Sequence, residues 1–167
     1  RLALAATLSP AYGIYSGFEL VENVPLRPGS EEYLDSEKYE VKVRDWEAPG
    51  NISAFARAVN EARKENPALR LATNLRFHRP NNPAVIAYSK ATPDLGNRVL
   101  VVANLDPFAP QEATIELDGE ALGLDGESHY AVHDLVSGAR YRWQGLSNYV
   151  RLDPEVEPVH IFLVEGA

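Results

Sequence analysis

Two hydrophobic rhythms divide the chain. From Leu71 onward apolar and polar positions alternate with a period of two, in runs of five to eight residues. Such alternation predicts strands with one face buried. The expected strands are Leu71–His78, Val85–Lys90, Arg98–Asn104, Glu112–Leu117, Tyr130–Asp134, Ala139–Trp143, Asn148–Leu152 and Val159–Val164. Asn81-Asn82-Pro83, Asp94-Leu95-Gly96-Asn97, Asp118-Gly119, Asp125-Gly126 and Ser137-Gly138 lie between them and supply turn chemistry. About eight short strands joined by Gly- and Asp-rich turns predict an antiparallel β-sandwich or barrel.

Before residue 70 the pattern differs. Ile52, Phe55, Ala56, Val59 and Ala62 recur at helical spacing, opposite Arg57, Asn60, Glu61, Arg63 and Lys64. This predicts an amphipathic helix over Ile52–Glu65, with Asn51 as its cap and Asn66-Pro67 as its stop. The opening Leu2–Leu8 reads as the end of a helix already under way, broken by Ser9-Pro10. The β-prone run Ala11–Gly17 follows. Helix, tight break and short buried strand together suggest an α/β unit, with the strand in a parallel sheet. Between Phe18 and Gly50 no periodicity persists. A loop of this length in a compact domain is usually functional or disordered, and its aromatic and charged residues favour an ordered, ligand-facing loop. The expected organisation is α/β plus all-β: residues 1–70 end one domain and residues 71–167 form a sandwich.

Composition removes several function classes. The 167 residues contain neither cysteine nor methionine, which excludes disulfides, thiolate metal sites and a cysteine nucleophile. A chain that lacks an initiating methionine and opens inside a helix reads as a piece of something larger. Sixteen basic against twenty-four acidic residues give a net charge of −8, and an average field of that sign repels a phosphate backbone. No apolar run approaches the ~20 residues of a membrane span, and the opening stretch is too short for an export signal, so a cytoplasmic setting is expected.

The loop between the short strand and the following helix holds the candidate chemistry. In α/β barrels such loops form the rim of the active site. Glu19, Glu22, Asn23, Lys38, Tyr39, Arg44 and Trp46 fall there. Lys38 suits hydroxyl or phosphate oxygens, and Tyr39 suits stacking on a sugar ring; a solvated charged loop is the alternative. Glu31-Glu32 and Asp35/Glu37 read as solvated acids rather than a glycosidase pair, and Glu19 is the better rim carboxylate. His78, His129, His133 and His160 show no metal-ligand spacing. Tyr88, Tyr130, Tyr141, Trp143 and Tyr149 read as core and cross-strand residues in preference to a carbohydrate-binding strip.

Several of these stretches also carry a resemblance. The run from Leu4 to Glu19 looks like the eighth strand, and the approach to it, of the α-amylase superfamily. The stretches Gly29–Glu40, Arg44-Asp45-Trp46, Asn66–Leu69, Asn74–His78 and Asn104–Pro107 narrow the likeness. Together they resemble the C-terminal part of the bacterial α-1,4-glucan:maltose-1-phosphate maltosyltransferase family, and Glu32–Tyr39 is specific to it rather than general to amylases. The resemblance implies the last β/α unit of a (β/α)8 barrel followed by the sandwich. It also implies transfer of maltosyl units from α-maltose 1-phosphate to the non-reducing end of an α-1,4-glucan, with retention and release of phosphate. Lys38 and Tyr39 would bind the maltosyl group. The nucleophile, general acid and third carboxylate would come from earlier barrel strands, so no catalytic residue is expected in this chain and the chain alone should be inactive. A homodimer without metal or organic cofactor is further implied. The alternatives are the tail of another superfamily enzyme, such as an amylase or a trehalose-forming enzyme, and an autonomous carbohydrate-binding sandwich. The Lys38-Tyr39 loop argues against the first.

Overall fold

The computed structural model describes residues 1–34 and 41–166. The chain divides into two compact units, Tyr12–Arg57 and a second made of Arg1–Ala11 with Ala58–Ala167.

The second unit opens with α1 (Leu2–Leu8), whose Leu2, Ala3, Ala6 and Thr7 are buried. The Thr7 hydroxyl donates to the Ala3 carbonyl at 2.6 Å and lies 2.5 Å from the Tyr88 hydroxyl. Tyr88 is fully buried, and burial pushes its phenol up to about 12. Helix α2 spans Ser53–Glu65. Asn51 Oδ1 accepts the Ser53 N–H at 3.0 Å, satisfying one of the free donors of the first turn. Ala56, Val59 and Ala62 are buried as the pattern predicts. Arg63 is a correction, because its guanidinium turns inward instead of to solvent. It donates to the carbonyls of Ala6 (2.5 Å), Ser9 (2.9 Å), Leu69 (3.3 Å) and Pro10. These oxygens belong to the end of α1, its break and a 3-10 turn at Pro67–Arg70. They have lost helical partners and draw the cation in.

Among the described residues nine strands follow, and their ladders are antiparallel throughout. They are β1 (Leu75–Phe77), β2 (Arg79–Pro80), β3 (Val85–Ala91), β4 (Arg98–Asn104), β5 (Gln111–Glu116), β6 (His129–Asp134), β7 (Arg140–Gln144), β8 (Ser147–Leu152) and β9 (Val159–Glu165). One sheet has the order β1-β3-β4-β9-β6-β7, the other β2-β5-β8. Inward residues of both sheets share one core that includes Ala87, Leu100, Val102, Ile115, Val132, Leu152 and Phe162. All eight expected strands form, and Arg79–Pro80 adds a two-residue ninth. The first starts at Leu75 rather than Leu71, because residues 71–74 form a bend between the 3-10 turn and the strand. Asn74 fixes that start, its Nδ2 donating to the carbonyls of Ala68 (2.9 Å) and Ala91 (2.8 Å).

Two further expectations change. Asp118-Gly119 is not a plain turn: Asp118 caps a short helix, α3 (Gly119–Leu122), its Oδ1 accepting the Ala121 N–H at 3.2 Å. A Cβ on Gly119 would lie 2.4 Å from the Leu124 carbonyl oxygen, so only glycine fits. In the other unit, Ala11–Gly17 forms no strand. A strand exists through its ladder, and the described residues offer this segment no neighbour.

Candidate functional site

The unit Tyr12–Arg57 bends sharply at Tyr15–Phe18, where the Phe18 N–H reaches the Tyr15 carbonyl at 3.0 Å. Gly17 takes φ +92°, and a Cβ there would fall 2.3 Å from a carboxylate oxygen of Glu22. The glycine thus supplies both the left-handed backbone and the space for that carboxylate. A single 3-10 turn, Phe18–Leu20, returns the chain, and Glu22 comes back over Gly17 through a 3.2 Å backbone hydrogen bond.

Glu22 is the centre of a charge cluster. Arg44 donates to it twice, from Nε at 2.9 Å and Nη2 at 3.2 Å, and Lys42 Nζ donates at 3.3 Å. Two further guanidinium hydrogens reach the Ser16 hydroxyl (3.3 Å) and carbonyl (3.4 Å). The Arg44 side chain is only 5% exposed, so this fork is packed into the unit rather than draped over it. Hydrogen bonding from Arg44 holds the Glu22 carboxyl below the usual range against the opposing effect of burial, with Lys42 adding to it. Glu22 is therefore an ionised anchor at neutral pH and unsuited to act as a general acid.

A second ordered feature lies beside this cluster in the chain. Residues 24–34 form a narrow hairpin. Pro25 and Tyr33 form a bridge, Leu26 N–H donates to the Glu32 carbonyl at 2.7 Å, and Leu34 N–H donates to the Val24 carbonyl at 2.8 Å. Tyr15 and Tyr33 meet edge to face at 6.4 Å. Leu34 and Lys42, on either side of residues 35–40, are thus tied to residues 24 and 22. Lys38 and Tyr39 themselves lie outside the described residues, as do Asp35 and Glu37.

Of the other expected loop residues, Glu22 and Arg44 are brought together. Glu19 instead supports the backbone, its carbonyl accepting the Ile52 N–H at 2.7 Å. Its carboxylate oxygen Oε2 is buried without a hydrogen-bond partner among the described residues. Trp46 is half exposed beside a turn that Asp45 closes by accepting the Glu47 N–H at 3.0 Å. Ser16 and Lys42 were not singled out from sequence. The alternation Lys42-x-Arg44, which puts two cations on one side of an extended segment, is the signal that points to Lys42.

Among the histidines, His160 Nδ1 lies 3.0 Å from Asp134 Oδ2, and His78 Nδ1 accepts the Asp118 N–H at 3.0 Å. Burial pushes the Asp134 carboxyl up, but hydrogen bonds from His160, Ser137 and the Val136 N–H bring it below the usual range. Among the described residues no three His, Asp or Glu side chains gather to hold a metal ion. No described helix is long and apolar enough to cross a membrane. The sandwich aromatics separate into two groups. Tyr88 and Tyr130 are core residues, whereas Tyr141, Trp143 and Tyr149 line a common cleft.

Comparison with known proteins places this geometry. A family model described as GLGE, C-terminal, matches residues 77–164. The chain is 54% identical over 168 aligned residues to α-1,4-glucan:maltose-1-phosphate maltosyltransferase 2 of Streptomyces coelicolor. It is 46% identical to the maltosyltransferase of Corynebacterium glutamicum, again over 98% of its own length. It spans 25% of each of these relatives. Among solved structures, the maltogenic α-amylase AmyB of Thermotoga neapolitana superposes with a TM-score of 0.64. The superposition covers 99% of this chain and 35% of that one at 15% identity. An Anoxybacillus α-amylase gives 0.61 at 17% identity, covering 99% of this chain and 32% of its own. These two likenesses show the fold.

Proposed function

Because the chain belongs to the α-1,4-glucan:maltose-1-phosphate maltosyltransferase family and corresponds to its C-terminal region, we propose that it completes an enzyme making α-glucan from α-maltose 1-phosphate. The observation that carries this reading is the 54% identity over 98% of the chain.

In this reading residues 1–70 are the C-terminal end of a (β/α)8-barrel domain, and residues 71–167 are the sandwich domain that follows it in the chain. The reaction retains configuration through two displacements. A carboxylate outside this chain attacks C1 of the maltosyl group, and the C1–O bond breaks with phosphate leaving as the anion. The 4-hydroxyl at the non-reducing end of the glucan then attacks C1, gives its proton to the second carboxylate and displaces the first. Lys38 and Tyr39 contribute binding: the ammonium donates to maltosyl hydroxyls and the phenol ring packs on a sugar face. The Glu22–Arg44–Ser16 fork and the hairpin at residues 24–34 support that role, since they anchor both flanks of the Lys38-Tyr39 segment. No metal or organic cofactor takes part in this scheme, and the whole enzyme works as a homodimer in the cytoplasm.

Phosphate release separates this reading from its competitors. The full-length protein is expected to liberate phosphate from α-maltose 1-phosphate in the presence of maltotetraose, and the 167-residue chain alone is expected to liberate none. Turnover by the chain alone would place catalytic carboxylates within it. Hydrolysis of glucan by the full-length protein, without use of maltose 1-phosphate, would make it an amylase.

A further inference from the structure

Strands β7 and β8 are edge strands of the two different sheets. Where these edges part, a cleft of about 250 Å³ opens into the sandwich. Its walls are aromatic. Tyr141 and Trp143 stand two residues apart on β7, so they share one face of the strand. Tyr149 faces the cleft from β8. Phe162 holds the frame in place. Tyr141 meets it edge-on at 6.0 Å, Trp143 at 5.3 Å, and the His160 ring stacks on it at 4.8 Å. Yet Tyr141 and Tyr149 remain 40% and 57% exposed, unlike the core tyrosines Tyr88 and Tyr130. Tyr141 and Trp143 are held by ring contacts, and Tyr141 and Tyr149 are left uncovered.

The polar groups of the cleft have a consistent character. His160 is 5% exposed and lines the cleft. Its Nδ1 is occupied by Asp134 at 3.0 Å, and Nε2 makes no hydrogen bond among the described residues. In the tautomer that donates Nδ1–H to Asp134, Nε2 is the ring's acceptor. Arg151 and Glu157 add a donor and an acceptor at the mouth. Arg151 also lies 3.8 Å from Glu112 and 3.5 Å from Asp153, so its charge is already offset. Aromatic faces, a ring nitrogen at the wall and balanced charges at the mouth suit a neutral polyol and disfavour an anion.

We propose that this cleft binds a pyranose unit of an α-glucan. Sugar C–H faces pack on Tyr141, Trp143 or Tyr149, and a hydroxyl donates to His160 Nε2. The choice of an α-glucan rests on the maltosyltransferase reading; the cleft's fitness for a sugar does not.

The test is affinity electrophoresis of the full-length protein in gels containing glycogen, with phosphate release onto maltotetraose measured in parallel. The double variant Tyr141→Ala/Tyr149→Ala is expected to raise the apparent Kd for glycogen at least fivefold while releasing phosphate at the wild-type rate. Equal retardation of variant and wild type overturns the proposal. If neither protein releases phosphate but the variant still loses retardation, the transferase reading fails and the cleft stands. If the double variant does not fold, labelling the wild type with 5-fluorotryptophan decides the matter. The fluorine resonance assigned by Trp143→Phe should shift saturably with maltoheptaose. A resonance that stays fixed, as when another protein surface fills the cleft, overturns the proposal.

Discussion

Lowering the pH from 6.5 towards 4 is expected to remove about 3 kcal/mol of stability through His78 alone, at 1.36 kcal/mol per pKa unit. His78 is buried, and burial pushes its imidazole down to about 4, only partly opposed by the negative charge of Asp118. Geometry gives the same direction. Nδ1 accepts the Asp118 N–H at 3.0 Å, so the neutral ring carries its proton on Nε2, which is buried without a partner among the described residues. Protonating Nδ1 sets two donors against each other and puts a charge where nothing solvates it. The unfolded chain binds this proton from about pH 6.5 downward and the folded chain only near 4. Stability therefore falls as pH drops through that interval and levels off below it. Asp134, whose carboxyl lies below its ordinary 3.8, adds its own loss only at lower pH. His78→Asn offers the Asp118 N–H an oxygen acceptor that does not titrate. Urea unfolding at pH 7 and pH 4.5 should show the slope in wild type and a much smaller one in His78→Asn. Equal slopes in the two proteins would remove His78 as the cause.

Arg63→Ala is expected to cost about 3 kcal/mol, because hydrogen bonds to charged groups contribute ~1.5–3 kcal/mol and several carbonyls lose their donor together. The oxygens of Ala6, Ser9, Pro10 and Leu69 converge on this one guanidinium. Buried Lys90 shares one of them, its Nζ donating to the Leu69 carbonyl at 3.2 Å. Burial, and then the charge of Arg63, hold the Lys90 ammonium below its ordinary range. Removing Arg63 thus relieves Lys90 and offsets part of the loss. Arg63→Lys should recover only a minor share, since one ammonium cannot span carbonyls that the planar fork reaches from two nitrogens. Thermal and urea unfolding measure both variants. A loss below about 1 kcal/mol, the range of an exposed ion pair, would mean that solvent serves these carbonyls as well as Arg63 does.

The sandwich was legible in the sequence partly because some strands are half-buried: one inward face against one polar face writes a period of two over Ser147 to Leu152. Val99 to Val102 is buried on both faces and reads instead as a short apolar run. What escaped depends on contacts distant in sequence. Arg63 reads as a surface cation until α1 brings its carbonyls near. Gln111–Glu116 was readable as a strand, but nothing in Asp118-Gly119 says that the chain turns helical there in order to close on His78. The short β-prone run at Ala11–Gly17 carries strand propensity without a ladder. In the loop, Glu22 and Arg44 were recognisable as candidates from residue type alone. Their pairing across 22 residues of sequence, and the part played by Ser16 and Gly17, follow only from the fold. The aromatics show the same limit. Their residue types read as core and cross-strand residues, as Tyr88, Tyr130 and the Tyr130–Trp143 pair are, but the cleft that Tyr141, Trp143 and Tyr149 share follows only from the parting of β7 from β8.

The role of this chain in the transferase rests most directly on Lys38. In the full-length protein, Lys38→Ala should lower kcat/KM for α-maltose 1-phosphate at least tenfold, or about 1.4 kcal/mol, with the melting temperature unchanged. An unchanged kcat/KM would contradict the assignment of the Lys38-Tyr39 segment to the donor site.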